Sequence, residues 1–156
     1  MMQLSYNGPN ELNLAVQKII DYAGPQRIWA LDGEMAAGKT TLIRSLCALL
    51  GCTENVTSPT YQLVNVYHDA KGNPVYHFDF YRIRKVDEAY NIGIQEYLDS
   101  GNLCLIEWPG KVVDILPQDT FCVIMEIGVN EQRDVTLYKN IPEDYPRMPD
   151  RLMSKE

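Results

Sequence analysis

The chain lacks a basic excess, a long apolar run and a cysteine framework. Its 156 residues carry 14 lysines and arginines against 21 aspartates and glutamates, a net charge of −7. That balance argues against binding RNA or DNA unaided through a broad basic surface, leaving open a local patch or one lent by a partner. No apolar stretch approaches the roughly 20 residues that cross a bilayer. The N-terminus lacks the basic-then-apolar pattern of a secretory leader, so the expected setting is the cytoplasm. The four cysteines, Cys47, Cys52, Cys104 and Cys122, do not form a metal-binding set. Cys47 and Cys52 have no second pair nearby, and Cys104 and Cys122 lie inside apolar runs. Buried free thiols in a reducing compartment are expected. No repeat or second domain interrupts the chain, whose length suits one domain with a real core.

What is present is Gly33-Glu34-Met35-Ala36-Ala37-Gly38-Lys39-Thr40-Thr41. It fits G-x-x-x-x-G-K-[ST], the loop that wraps the phosphates of a nucleoside triphosphate. Gly33 and Gly38 permit turns that a Cβ forbids, so successive amides can face an anion. Lys39 offers a compact positive charge to the phosphates, and the Thr40 hydroxyl can become a Mg²⁺ ligand. The flanks give this loop its context. Arg27–Asp32 reads as a buried strand, and Leu42, Ile43, Leu46, Leu49 and Leu50 fall at helical spacing before Gly51, a natural C-terminal cap. A helix beginning at the loop adds its dipole to the phosphate site.

Before the loop, Met2–Tyr6 reads as a short edge strand. Asn10 is the expected cap of a helix with Leu12, Ala15, Val16, Ile19 and Ala23 on one stripe, ended by Gly24-Pro25. A polar residue just ahead of that helix is a candidate contact for a nucleotide base. After the loop, Val56-Thr57-Ser58-Pro59-Thr60-Tyr61 reads either as a plain turn around Pro59 or as a switch-like loop approaching the γ-phosphate through Ser58 or Thr60. Tyr61–Tyr67 and Val75–Tyr81 suggest an antiparallel hairpin. Period two puts Tyr76, Phe78 and Phe80 on one face and His77, Asp79 and Tyr81 on the other. An aspartate among aromatic residues is costly to bury alone, so Asp79 is either paired with a neighbour such as Arg82 or part of a site.

Val86–Leu98, broken by Gly93, suggests two short helical pieces. Leu103-Cys104-Leu105-Ile106-Glu107 is the pattern of a central parallel strand ending in a carboxylate, at the end where open α/β sheets bind ligands. Glu107 is thus placed to hold Mg²⁺ or orient a hydrolytic water. Trp108 is either core or an aromatic wall of the site. Phe121–Gly128 and Asp134–Tyr138 read as two further strands joined by a hairpin turn. The expected fold is α/β, a single P-loop NTPase domain over residues 1–140 with a mixed, mainly parallel sheet flanked by helices. Residues 141–156 read as a Pro-rich, charged tail, draped or disordered.

Taken in order, Gly33–Thr41, Ser58-Pro59-Thr60-Tyr61, His77-Phe78-Asp79-Phe80-Tyr81-Arg82 and Ile106-Glu107-Trp108-Pro109 resemble the TsaE family. The resemblance spans roughly residues 10–138, and the combination is far more specific than any one motif. These are small ATPases of the bacterial system that makes threonylcarbamoyladenosine in tRNA, next to the anticodon. The resemblance implies ATP and Mg²⁺ as cofactors and slow hydrolysis stimulated in a complex with TsaB and TsaD. TsaD performs the transfer, and tRNA is met through the complex. Neither a membrane nor DNA is an expected partner.

Carried over, Glu34, Met35, Ala36, Ala37, Gly38, Lys39, Thr40 and Thr41 would wrap the nucleotide, with Lys39 on the phosphates. Thr40 and Glu107 would hold Mg²⁺. Asp79 would be the functionally needed aspartate, Thr60 would lie near the γ-phosphate, and Trp108 would follow the metal-site glutamate. Two departures stand out. Ala36 occupies a place where the family usually has glycine, and Gly110-Lys111 follow Pro109 where an acid and then a base are common. The rival readings are a small-molecule kinase and a non-catalytic nucleotide-binding switch. Against the kinase, no long lid segment is available to carry arginines over the phosphates.

Overall fold

Alternation and helical stripes in the sequence set out eleven regular elements among the described residues. A computed structural model of the chain describes residues 1–59 and 61–147. In chain order these are β1 (Met2–Tyr6), α1 (Gly8–Ala23), β2 (Ile28–Gly33), α2 (Lys39–Leu49), β3 (Val64–His68), β4 (Pro74–Asp79), α3 (Asp87–Asn91), α4 (Ile94–Asp99), β5 (Leu103–Glu107), β6 (Phe121–Ile127) and β7 (Arg133–Tyr138). Short 3₁₀ turns follow β5 and β6. The strands form one mixed sheet in the order β1-β7-β6-β2-β5-β4-β3. Its centre, β6-β2-β5-β4, is parallel, and the flanking pairs β1–β7, β6–β7 and β3–β4 are antiparallel.

Two apolar cores lie on opposite faces of this sheet. On one, the stripe Leu12, Ala15, Val16, Ile19 and Ala23 of α1 and Leu42, Ile43 and Leu46 of α2 cover Trp29, Leu31, Leu105 and Val123. On the other, α3, α4 and the 3₁₀ turns cover Ala30, Phe78, Ile106 and Cys122. Each fully buried leucine, isoleucine or phenylalanine contributes about 1.5–3 kcal/mol by leaving water. Beyond β7, Ile141 and Tyr145 are buried in the second core, so the start of the Pro-rich segment packs against the domain. Its remainder lies outside the described residues.

Several expectations from the sequence shift. Helix α1 begins at Gly8 with Asn7 as its flanking residue, so Asn10 is not the cap. Pro9 sits in the first turn, where its missing amide is not needed, and the Glu11 carboxylate accepts from the Asn7 amide at 2.9 Å, as the acid of a capping box does. Strand β3 starts only at Val64, because Leu63 has φ 67° and cannot extend the ladder from Tyr61. Of the cysteines, Cys47, Cys104 and Cys122 are buried but Cys52 is half-exposed. Among the described residues, no helix is long and apolar enough to cross a membrane.

Candidate functional site

The turn from β2 into α2 forms the floor of a cleft of about 430 Å³ at the C-terminal edge of the parallel strands. Gly33 is required by contact: a Cβ there would stand 2.7 Å from the Met125 carbonyl of β6. Gly38 is required by conformation, with φ 103°. The Leu42 amide reaches the Gly38 carbonyl at 2.9 Å, so the amides ahead of it have no acceptor within the helix and face the loop. Met35, Ala36, Ala37, Gly38, Lys39, Thr40 and Thr41 all line the cleft. Glu34 supplies backbone instead, its carbonyl accepting from the Ala37 amide at 3.0 Å and from Lys39 Nζ at 3.2 Å. Ala36 has φ 67°, a left-handed conformation that costs an alanine roughly 1–2 kcal/mol and a glycine little.

Strands β4 and β5 bring the acids. Asp79 and Glu107 are register partners across the parallel pair, on the face that looks toward α2. Two neighbouring carboxylates repel unless a cation or a donor stands between them. Here Thr40 Oγ1 lies 3.0 and 2.9 Å from the two Glu107 oxygens. Asp79 takes Ser58 Oγ at 2.5 Å and the Tyr81 amide at 2.9 Å as its partners, while Arg82 lies over the Tyr61 ring. Lys39 is 5% exposed and donates to the Gly33 carbonyl as well as to Glu34. Burial pulls its ammonium below the ordinary lysine value, opposed by Glu107, Asp32 and Asp79. Burial in turn raises the Asp32 carboxyl, against a backbone hydrogen bond from Gly33 and the Lys39 charge.

Trp108 forms a wall. Its backbone is left-handed, φ 55° and ψ 57°, which is strained for a bulky residue. This turn sets the indole with its centroid 3.7 Å from Lys39 Nζ and 4.8 Å from the Tyr81 ring. Lys111, at one of the family departures, is buried and donates to the Arg84 carbonyl at 2.7 Å. Thr60 lies outside the described residues, although Ser58 beside it lines the cleft.

Two groups had no site role in the sequence reading. Arg133, at the start of β7, reaches the phosphate loop, with Nε 2.9 Å from the Ala37 carbonyl. His77 contacts Glu107 from inside β4, its Nε2 2.6 Å from Oε2. A second hollow of about 420 Å³ adjoins the first across Gly38 and Thr41, with Tyr6, Asn7 and Arg133 in its lining. Burial raises the Tyr6 hydroxyl above its ordinary value, and Arg133 opposes that.

With this geometry described, comparison with known proteins places the chain. Residues 6–135 match the family model "Threonylcarbamoyl adenosine biosynthesis protein TsaE". The chain belongs to the TsaE family. A relative from Bacillus subtilis (strain 168), named tRNA threonylcarbamoyladenosine biosynthesis protein TsaE, is 31% identical over 138 residues, covering 87% of this chain and 85% of that protein. A TsaE protein of Treponema pallidum (strain Nichols) is 36% identical over 107 residues, 69% of this chain and 78% of its own. The crystal structure of Bacillus subtilis YdiB matches 92% of this chain and 88% of its own with a TM-score of 0.71; at 23% identity it speaks for the fold. Within the TsaE family frame, the cleft gathers residues from all the motifs whose positions are described: the phosphate loop, Ser58, Asp79 and Glu107-Trp108.

Proposed function

We propose that the chain binds and slowly hydrolyses ATP with Mg²⁺ in the formation of threonylcarbamoyladenosine in tRNA, driving turnover of a complex with TsaB and TsaD. The observation that carries this reading is the meeting of Thr40 with Glu107 beside the buried Lys39, at the mouth of a loop fitted for phosphate. The residues present suit both groups. Hydroxyl and carboxylate are the hard oxygen donors Mg²⁺ prefers, and the Lys39 ammonium and the left-handed turn at Gly38, both in the cleft lining, suit a phosphate.

In this reading Lys39 and the loop amides bind and orient the phosphates, and Thr40 and Glu107 hold the metal. The bound metal would neutralise charge developing on the transferred phosphoryl group. Trp108 keeps water from one side of Lys39, and Asp79 holds the Ser58 loop against the cleft. Thr60 belongs to that loop and is assigned to the γ-phosphate side. The hollow beside Tyr6 and Asn7 is the natural place for the base, one step beyond Thr41.

The test is ATP hydrolysis by the purified protein with Mg²⁺, alone and with TsaB and TsaD. Weak activity that rises with both partners and needs no phosphate acceptor is expected. Activity indifferent to the partners, or appearing only with an acceptor, would overturn the reading in favour of a switch or a kinase.

A further inference from the structure

Beneath the cleft runs a buried polar line that none of the motif roles uses. His77 is fully buried in β4 between Tyr76 and Phe78, on the face toward α2. Its Nε2 lies 2.6 Å from Glu107 Oε2 and its Nδ1 2.9 Å from the Tyr67 hydroxyl. That hydroxyl is also 3.1 Å from the Thr57 carbonyl, to which Asn65 Nδ2 donates at 3.0 Å. Burial raises the Tyr67 hydroxyl above its ordinary value, so it keeps its one hydrogen. It can give that hydrogen to Thr57 or to His77 Nδ1. In both cases the Nε2 hydrogen of His77 goes to Glu107, because an ionised carboxylate only accepts.

The consequence is geometric. Thr40 approaches both Glu107 oxygens, which leaves the carboxylate free to rock about its own axis, whereas His77 grips Oε2 alone and fixes that rotation. With the Tyr67 hydrogen on the Thr57 carbonyl and the Tyr67 oxygen facing His77 Nδ1, the same grip is tied to the backbone of the segment that carries Ser58, whose hydroxyl holds the neighbouring acid, Asp79, at 2.5 Å. The 57–58 segment is thereby fastened to both acids at the edge of the sheet. A well-packed apolar residue at position 77 would be no worse for stability than a buried polar pair, so fold stability alone does not explain the histidine.

We infer that His77 is a positioning residue of the metal site, holding Glu107 in the orientation that receives a divalent cation and coupling it through Tyr67 to the Ser58 loop. This rests on the proposed reading of Glu107 as a metal ligand. Groups that orient a metal ligand from behind typically control 10–100-fold in metal affinity.

The experiment measures Mn²⁺ binding in the presence of ADP by electron paramagnetic resonance, alongside metal-free ADP affinity by calorimetry. His77→Asn keeps an amide near the Nδ1 position but does not reach Glu107. Mn²⁺ affinity is expected to fall about 10-fold or more, with metal-free ADP affinity within about 2-fold of the parent. His77→Gln returns an N–H to the Nε2 position and is expected to recover most of the loss, which a merely space-filling role would not do. A folded His77→Asn protein with parental Mn²⁺ affinity overturns the inference. Should that variant fail to fold, Tyr67→Phe decides: a smaller loss in the same direction is expected, and no loss overturns the coupling. Glu107→Ala separates the two levels. If it leaves Mn²⁺ affinity unchanged, the metal reading falls and the inference with it. If it abolishes binding while His77→Asn does not weaken it, the inference alone falls.

Discussion

Along β5, Leu103, Cys104, Leu105 and Ile106 fill the two apolar cores, while Glu107, one residue further and just as buried, meets Thr40 and His77. Glu107 at the C-terminal edge of the parallel sheet is therefore as buried as the body of the strand and chemically opposite to it. In the body, contacts are non-directional and volume is what counts. At the edge each polar atom needs a partner at the right distance and angle, because an unpaired buried charge is far costlier than a small void. Burial by itself does not separate core from site here; the identity of the neighbours does.

The contrast implies that body and edge fail differently. Leu105→Ala should cost about 3 kcal/mol in denaturant unfolding, while the folded fraction binds ATP with unchanged affinity. A binding defect in the folded protein would show that the body tunes the edge. Lys39→Ala should do the converse, weakening ATP binding about 100-fold by calorimetry with much less loss of stability; unchanged affinity would remove Lys39 from the phosphate site.

The thiols of the body offer a milder probe. Burial pushes Cys47, Cys104 and Cys122 up to about 12. Between the ordinary thiol value near 8.5 and that level, the unfolded chain has released protons that the folded one keeps. Stability thus falls as pH rises through this window, by about 2 kcal/mol from pH 8 to 9 for the three thiols together, and is little affected by these groups at lower pH. The denaturation midpoint at the two pH values checks this, and a flat response would mean that the thiols ionise in place. The smallest effect belongs to the edge. Ala36→Gly should raise stability by about 0.5 kcal/mol, strain relief less the extra freedom gained by the unfolded chain. A loss would show that the methyl group packs usefully.

Much of the body was legible in the sequence because periodicity reports it. The α1 stripe, the two faces of β4 and the apolar run of β5 follow from spacing alone. The phosphate loop was legible too, since its residues are contiguous. The wiring of the edge was not. Glu107 finds Thr40 across 67 positions and His77 across 30, and Arg133 meets Ala37 across 96. Pattern placed His77 on the correct face but carried no sign of its partner. Asp79 could be narrowed to a pair or a site, yet Ser58 as its partner emerges only when the loop folds back on β4. The late start of β3 was equally hidden, because a left-handed leucine has no signature in composition.

The strained turn at Trp108 has an optical consequence. The chain has two tryptophans. Trp29 is sealed in the first core, its indole N–H on the Gln26 carbonyl at 2.9 Å and its ring edge-on to Phe121. Trp108 is held with its π face against the Lys39 ammonium. An event that draws that ammonium away changes the electrostatic surroundings of one emitter and leaves the other as a steady reference. The protein thus carries an intrinsic gauge of its phosphate loop, readable as ultraviolet emission without a label.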